Sequence, residues 1–196
     1  MSPRAGLDRA TIVREAASLV DREGLASLTL ARLAARLGVR PPSLYNHVAG
    51  LDDLRRELAL LGLGELAARL TRAAFGRAGE DAIVAIAEAY RTYARERPGV
   101  ATAAVRAPAP GDRGWQAAGE GLVTLLVAAF GSLGLQGDDA LHAVRGLRSL
   151  LHGFVTLETM GGFGLPLDRD ESFRRLVQAY LAGLRAANNP AIGRSA

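Results

Sequence analysis

The 196-residue sequence predicts an all-α protein, on three observations. Alanine and leucine dominate while β-branched residues are sparse, a composition that favours helix over strand. Apolar residues recur at i, i+3, i+4 and i+7 in most segments. Asp, Ser or Thr stands where helices should begin, and glycine where they should end. The expected layout is a three-helix head within residues 1–50, a larger helical body over residues 51–188, and a disordered tail at residues 189–196.

Taken in order, residues 1–6 read as a frayed arm. Asp8 opens the first helix, whose apolar stripe Ile12, Ala16, Leu19 and Val20 runs until Gly24. Thr29 then caps a second helix with Leu30, Leu33, Ala34 and Leu37 on one face, and Gly38 stops it in the left-handed conformation that glycine tolerates. Val39 turns into the corner, Arg40-Pro41-Pro42 forms an entrance, and a third short helix is expected over Ser43–His47. This spacing is that of a helix-turn-helix, although an ordinary helical hairpin has the same ingredients. Asp52 and Asp53 sit in the first turn of a long helix reaching about Phe75, where carboxylates suit the positive end of the helix dipole. Gly62 and Gly64 are expected to loosen or bend it.

Further helices are expected over Glu80–Arg97, within Gly99–Asp112, and over Arg113–Leu133. The last of these is so apolar that it reads as central. Two long helices, Asp138–Met160 and Arg169–Ala187, close the chain. The loops between them, Ala107–Gly111 and Gly161–Pro166, are rich in glycine and proline.

Composition excludes several chemistries. There is no cysteine, hence no disulfide, thiolate metal site or thiol nucleophile. All 24 basic residues are arginine, and the net charge of +4 permits nucleic-acid binding without demanding it. No signal peptide is visible, and the longest uncharged run, Gly121–Gly137, is too short and interrupted for a membrane span. A soluble, cytoplasmic protein with no cofactor and no metal is expected. His142 and His152 lie ten residues apart, too far for a helical ligand pair. Ser149 with His152 lacks an oxyanion element, so no catalytic residue is assigned and an enzyme is not expected. Gly62-Leu63-Gly64-Glu65-Leu66-Ala67 fits a dinucleotide fingerprint in letters only, because it follows a helix and not a strand.

The first helix, the run TLARLAARLGVRPPSLYNHV and the following LDDL resemble the DNA-binding domain of the TetR family of transcriptional regulators. Leu44-Tyr45-x-His47 is the most recognisable element. More loosely, RSLLHGFVTLETMGGFGLPLD and SFRRLVQAYLAGL are similar to the C-terminal domain called WHG in part of that family. The chain departs from the family pattern at Val48, where an aromatic is usual, at Leu51, where a phosphate-contacting lysine is frequent, and at Leu150, where WHG has tryptophan.

In a helix-turn-helix the second helix enters the major groove and its first turn reads base edges. The candidate DNA-binding residues are Thr29, Arg40, Pro41, Pro42, Ser43, Tyr45, Asn46 and His47. Arg40 suits guanine or phosphate, and Asn46 suits adenine or a solvated surface. Pro41 and Pro42 either touch a thymine methyl or fix the helix entrance. The resemblance makes Tyr45 and His47 a phosphate-contacting pair; Tyr45 is alternatively a half-buried packing residue.

For the body, a pocket lined by Tyr90, Tyr93, Trp115, Phe130 and His152 is expected, with core packing as the competing role of each. The resemblance implies a homodimer joined through the last two helices, by Leu151, Val155, Phe173, Val177, Tyr180 and Leu184. The function implied is a ligand-responsive regulator, a repressor released from a near-palindromic duplex operator by a small-molecule effector. A helical enzyme would need a convergent polar site, and an architectural DNA binder would lack a body cavity.

Overall fold

The computed structural model describes residues 7–188; the expected arm and tail lie outside them. The elements are α1 (Arg9–Glu23), a 3-10 turn (Leu25–Ser27), α2 (Leu30–Leu37), a second 3-10 helix (Pro41–Asn46), α3 (Leu51–Ala74), α4 (Gly79–Glu96), α5 (Pro98–Ala104), α6 (Arg113–Gly131), α7 (Gly137–Thr159) and α8 (Arg169–Asn188). No strand occurs among the described residues, and the fold is all-α.

The helix signals act where the sequence places them. The Asp8 side chain accepts from the Thr11 amide at 2.7 Å, and Thr29 accepts from the Arg32 amide at 3.2 Å. Each thereby satisfies a donor that a helix N-terminus leaves unpaired. Gly38 takes φ 68° and ends α2 by donating to the carbonyls of Ala34 and Ala35. The second 3-10 helix begins at Pro41, two residues before the expected start, because two prolines with fixed φ suit its first positions.

The chain forms two compact units. The first holds the residues up to Leu66 together with Glu96–Ala118, and so extends beyond the head expected to end at residue 50. Its core is built from Ile12, Ala16, Leu19, Val20, Leu33, Leu44, Val48, Leu54 and Leu58, and it includes Val100 and Ala103 of α5. The Asp21 carboxylate accepts from the amides of Gly99 and Val100, both at 3.0 Å, and so caps α5 from the side of α1. Arg97 pairs with the same carboxylate at 2.7 Å.

Close approach explains Gly62 as well. A Cβ there would lie 2.8 Å from the Val100 carbonyl oxygen and 3.0 Å from the Ala104 Cβ. α3 runs unbroken through Gly62 and Gly64, so the expected loosening gives way to a packing role for Gly62.

The second unit holds Ala67–Arg95 and the residues from Gly119 on. Ile83, Ala87, Phe130, Leu147, Leu151, Phe154, Phe173, Val177 and Leu181 form its core. This corrects the expected dimer interface. Leu151, Val155, Phe173 and Val177 are all buried within one chain, because the stripes of α7 and α8 cover each other and α4. Tyr180 and Leu184 pack on the same core, and the Tyr180 hydroxyl donates to the Ala143 carbonyl at 2.6 Å. Gly146 admits that ring, since its Cβ would stand 2.6 Å from the hydroxyl. A second correction concerns α6. It is not central: within the helix only Leu122 and Phe130 are buried.

Candidate nucleic-acid interface

The second 3-10 helix has two faces with opposite duties. Leu44 is fully buried and Val48, just past its end, nearly so; both point into the core of the first unit. Arg40, Pro41, Pro42, Tyr45 and Asn46 are exposed, and Ser43 and His47 are half-buried. Tyr45 is 60% exposed, which removes the packing alternative for this ring. A large aromatic held open to solvent between the buried anchors Leu44 and Val48 is placed for contact with something else. Thr29 is exposed at the start of α2 while serving as its cap.

The polar frame around this surface was not visible in the sequence. Arg9 donates to the His47 carbonyl at 2.7 Å, to both carboxylate oxygens of Asp53 at 2.7 and 3.0 Å, and to Glu57 at 2.9 Å. Asp53 also accepts from the Ala49 amide at 2.9 Å. The Arg9 guanidinium, helped by that amide, holds the Asp53 carboxyl below the usual carboxylate range despite partial burial. One helical turn on, Arg56 pairs with Asp112, whose carboxyl is lowered to about 2 by that guanidinium and by the Trp115 amide. Around α2, Arg32 pairs with Glu23 and Arg36 with Glu15.

The expected pocket residues are divided between the two units. Tyr93 and Phe130 are fully buried side chains. Trp115 belongs to the first unit and the other four to the second. Tyr90 and His152 meet, hydroxyl to Nδ1 at 3.4 Å, and burial pushes the Tyr90 hydroxyl pKa up. The second unit instead carries a groove of about 550 Å³ lined by residues of α4 and α8, among them Val84, Glu88, Arg95, Phe173, Val177 and Gln178. In its lining Arg91, 8% exposed, makes a two-pronged pair with Glu158 at 2.6 and 3.0 Å and a third bond to Asp170 at 2.8 Å. Its guanidinium lies 4.8 Å from the Phe173 ring centre and 5.3 Å from that of Phe154.

Comparison with known proteins identifies the family. The family described as the tetracyclin repressor-like C-terminal domain matches residues 83–180, which takes in most of the WHG-like stretch. An uncharacterized HTH-type transcriptional regulator of Mycobacterium tuberculosis, Rv0681, is 41% identical over 92% of this chain and 83% of its own. A second one, YobS of Bacillus subtilis, is 38% identical over 96% of this chain and 98% of its own. The chain belongs to the TetR family of transcriptional regulators. Its fold is shared with TetR from Acinetobacter baumannii AYE, at TM-score 0.68 and 22% identity over 93% of this chain and 98% of that one. A Q116A form of that TetR, crystallised in complex with minocycline, matches at TM-score 0.69.

No helix among the described residues is long and apolar enough to cross a membrane. Among the same residues, no cluster of three or more His, Asp and Glu is placed to hold a metal.

Proposed function

We propose that the chain is a cytoplasmic repressor that holds a near-palindromic duplex operator as a homodimer and releases it when a small molecule binds the second unit. The contrast within the second 3-10 helix carries the DNA-reading half of this proposal. Leu44 anchors it while Pro41, Pro42, Tyr45 and Asn46 are offered to solvent. In this reading Arg40 and Asn46 meet base edges, and Tyr45 and His47 donate to phosphate oxygens. Thr29, at a helix N-terminus, is placed for a phosphate as well.

The release half rests on α3, one unbroken helix whose residues belong first to one compact unit and then to the other. An effector in the α4–α8 groove, which is of ordinary ligand size, shifts the operator equilibrium only if it prefers the arrangement that cannot bind DNA. The occurrence of a minocycline complex in TetR from A. baumannii supports a small organic effector. Because the core-facing stripes of α7 and α8 are used internally, the dimer contact falls on exposed residues such as Leu157 and Met160.

The deciding experiment selects a duplex from a random-sequence pool with the wild-type protein and compares it with a Tyr45→Ala, His47→Ala double variant. The variant should lose the selected duplex and sediment as the same dimer. Retained binding, or loss of the dimer instead, would remove these two residues from the DNA surface.

A further inference from the structure

We infer that Arg9 is a positioning residue for operator reading, a clamp that fixes the end of the DNA-facing 3-10 helix to α3. The inference rests on that helix being the element that meets DNA. Arg9 is the first residue of α1, remote in sequence from both partners.

The geometry commits both terminal nitrogens of the guanidinium. One terminal nitrogen serves the His47 carbonyl and an Asp53 oxygen, and the other serves the second Asp53 oxygen and Glu57. The four N–H groups of the two terminal nitrogens are therefore matched by four acceptors. The His47 carbonyl lies at the C-terminal end of a helix of only six residues, where carbonyls lack an intrahelical partner. A 3-10 helix is held by poorer hydrogen bonds than an α-helix, so its orientation depends on what grips its ends. Leu44 and Val48 grip it from beneath by apolar contact, which is not directional and leaves rocking about that line open. Arg9 closes that freedom by tying His47 to the first two turns of α3. Asp53 reinforces the joint by also accepting from Ala49, in the bend between the two elements.

The fold of the first unit does not depend on the clamp. Arg9 is 43% exposed, and the core of Ile12, Leu44, Val48, Leu54 and Leu58 closes without it. Nor is the residue available as a phosphate ligand, since its terminal nitrogens are already spent on acceptors of this chain. Its loss should therefore affect where bases are met and leave the contacts to the duplex backbone in place.

The test uses the full chain with a duplex selected from a random pool, beside a scrambled duplex, over a range of salt concentrations. Arg9→Gln should bind the selected duplex at least about tenfold more weakly, keep its affinity for the scrambled one, and keep the wild-type slope of log affinity against log salt. Arg9→Lys, which keeps the charge without the fork, should lose selectivity in the same way. Asp53→Asn should reproduce the loss, and the Arg9→Gln, Asp53→Asn pair should be no worse than either alone. Equal weakening on both duplexes with a slope shallower by about one would make Arg9 a phosphate contact and overturn the inference. Full selectivity in Arg9→Lys, or in a folded Asp53→Asn when Arg9→Gln itself fails to fold, would overturn it too. If the Tyr45→Ala, His47→Ala variant still holds the selected duplex, the DNA-facing assignment is wrong and the clamp has nothing to position. If that variant fails while Arg9→Gln binds normally, the clamp alone is wrong.

Discussion

Alanine at Gly99 tests how the first unit is held together. Gly99 is the second residue of α5, and its backbone lies directly on α1. A Cβ there would stand 2.1 Å from the Val20 carbonyl oxygen, 2.2 Å from the Val20 carbonyl carbon and 2.7 Å from the Asp21 nitrogen. All three are backbone atoms of a helix, so no rotamer change can make room. Ordinary contact begins near 3.4 Å, and α5 must lift by more than an ångström. That movement stretches both hydrogen bonds from the Asp21 carboxylate, to Gly99 and to Val100, and withdraws Val100 and Ala103 from the core.

Overpacking of this kind costs about 1–3 kcal/mol, and loss of a helix cap about 1 kcal/mol more. We expect Gly99→Ala to destabilise the first unit by about 3 kcal/mol, a fall in its melting temperature of roughly 6–12 °C for a chain of this size. The control is Gly121→Ala, in α6, where nothing lies within 4 Å of the added Cβ. Better helix propensity should make that variant neutral or more stable by up to about 1 kcal/mol. Thermal and urea melts followed by circular dichroism measure both. If Gly99→Ala melted with the wild type, or if the two alanines shifted stability alike, the close packing of α5 on α1 would be refuted.

Two other substitutions follow from the same kind of geometry. Gly62→Ala should destabilise by about 1–3 kcal/mol, because its Cβ meets the Val100 carbonyl oxygen, while Gly64→Ala in the same helix meets nothing and should stabilise; urea midpoints moving in the same direction would contradict this. Glu158→Gln removes one partner of a buried ion pair and should cost about 3 kcal/mol, at the low end because Asp170 remains beside Arg91. The Arg91 guanidinium holds Glu158 below its usual 4.5, so the unfolded chain takes up the proton first. Its stabilisation is present above pH 4.5 and is lost as pH falls through the folded value. The stability gap between wild type and Glu158→Gln should therefore narrow between about pH 5 and pH 3, and a gap constant across that range would show that Glu158 does not titrate in this way.

The helix-turn-helix geometry was legible in the sequence because its signals are local. Thr29 reaches the amide three residues on, Gly38 closes α2 on carbonyls three and four residues back, and the prolines act on the turn that they begin. The apolar spacing of Leu33, Ala34, Leu44 and Val48 named the buried face correctly. The frame around it was not legible. Arg9 reaches partners 38, 44 and 48 residues away, and Asp21 caps a helix 78 residues on. Periodicity within a window of ten or fifteen residues cannot report such pairs. It also cannot say whether an apolar stripe faces its own chain or a partner, and the stripes of α7 and α8 suit either until the packing of their unit is seen.

One signal for the non-local contacts did exist, and it lies in violations of the stripes. Arg91 stands four residues after Ala87 on the apolar face of α4, and Glu158 stands seven after Leu151 and three after Val155 on that of α7. A guanidinium on a buried face needs a carboxylate, because an unpaired buried charge is too costly to keep. One charge of each sign interrupting two different stripes therefore points to a pair that joins their helices. The structure places these two groups 2.6 Å apart, so α4 and α7 are registered by a contact that reads, in each helix alone, as an error of pattern. The aromatic residues carry no comparable mark. Tyr93 and Phe130 satisfy the stripe rule as core residues and would satisfy it equally as pocket walls, so only the packing of the whole unit separates the two roles.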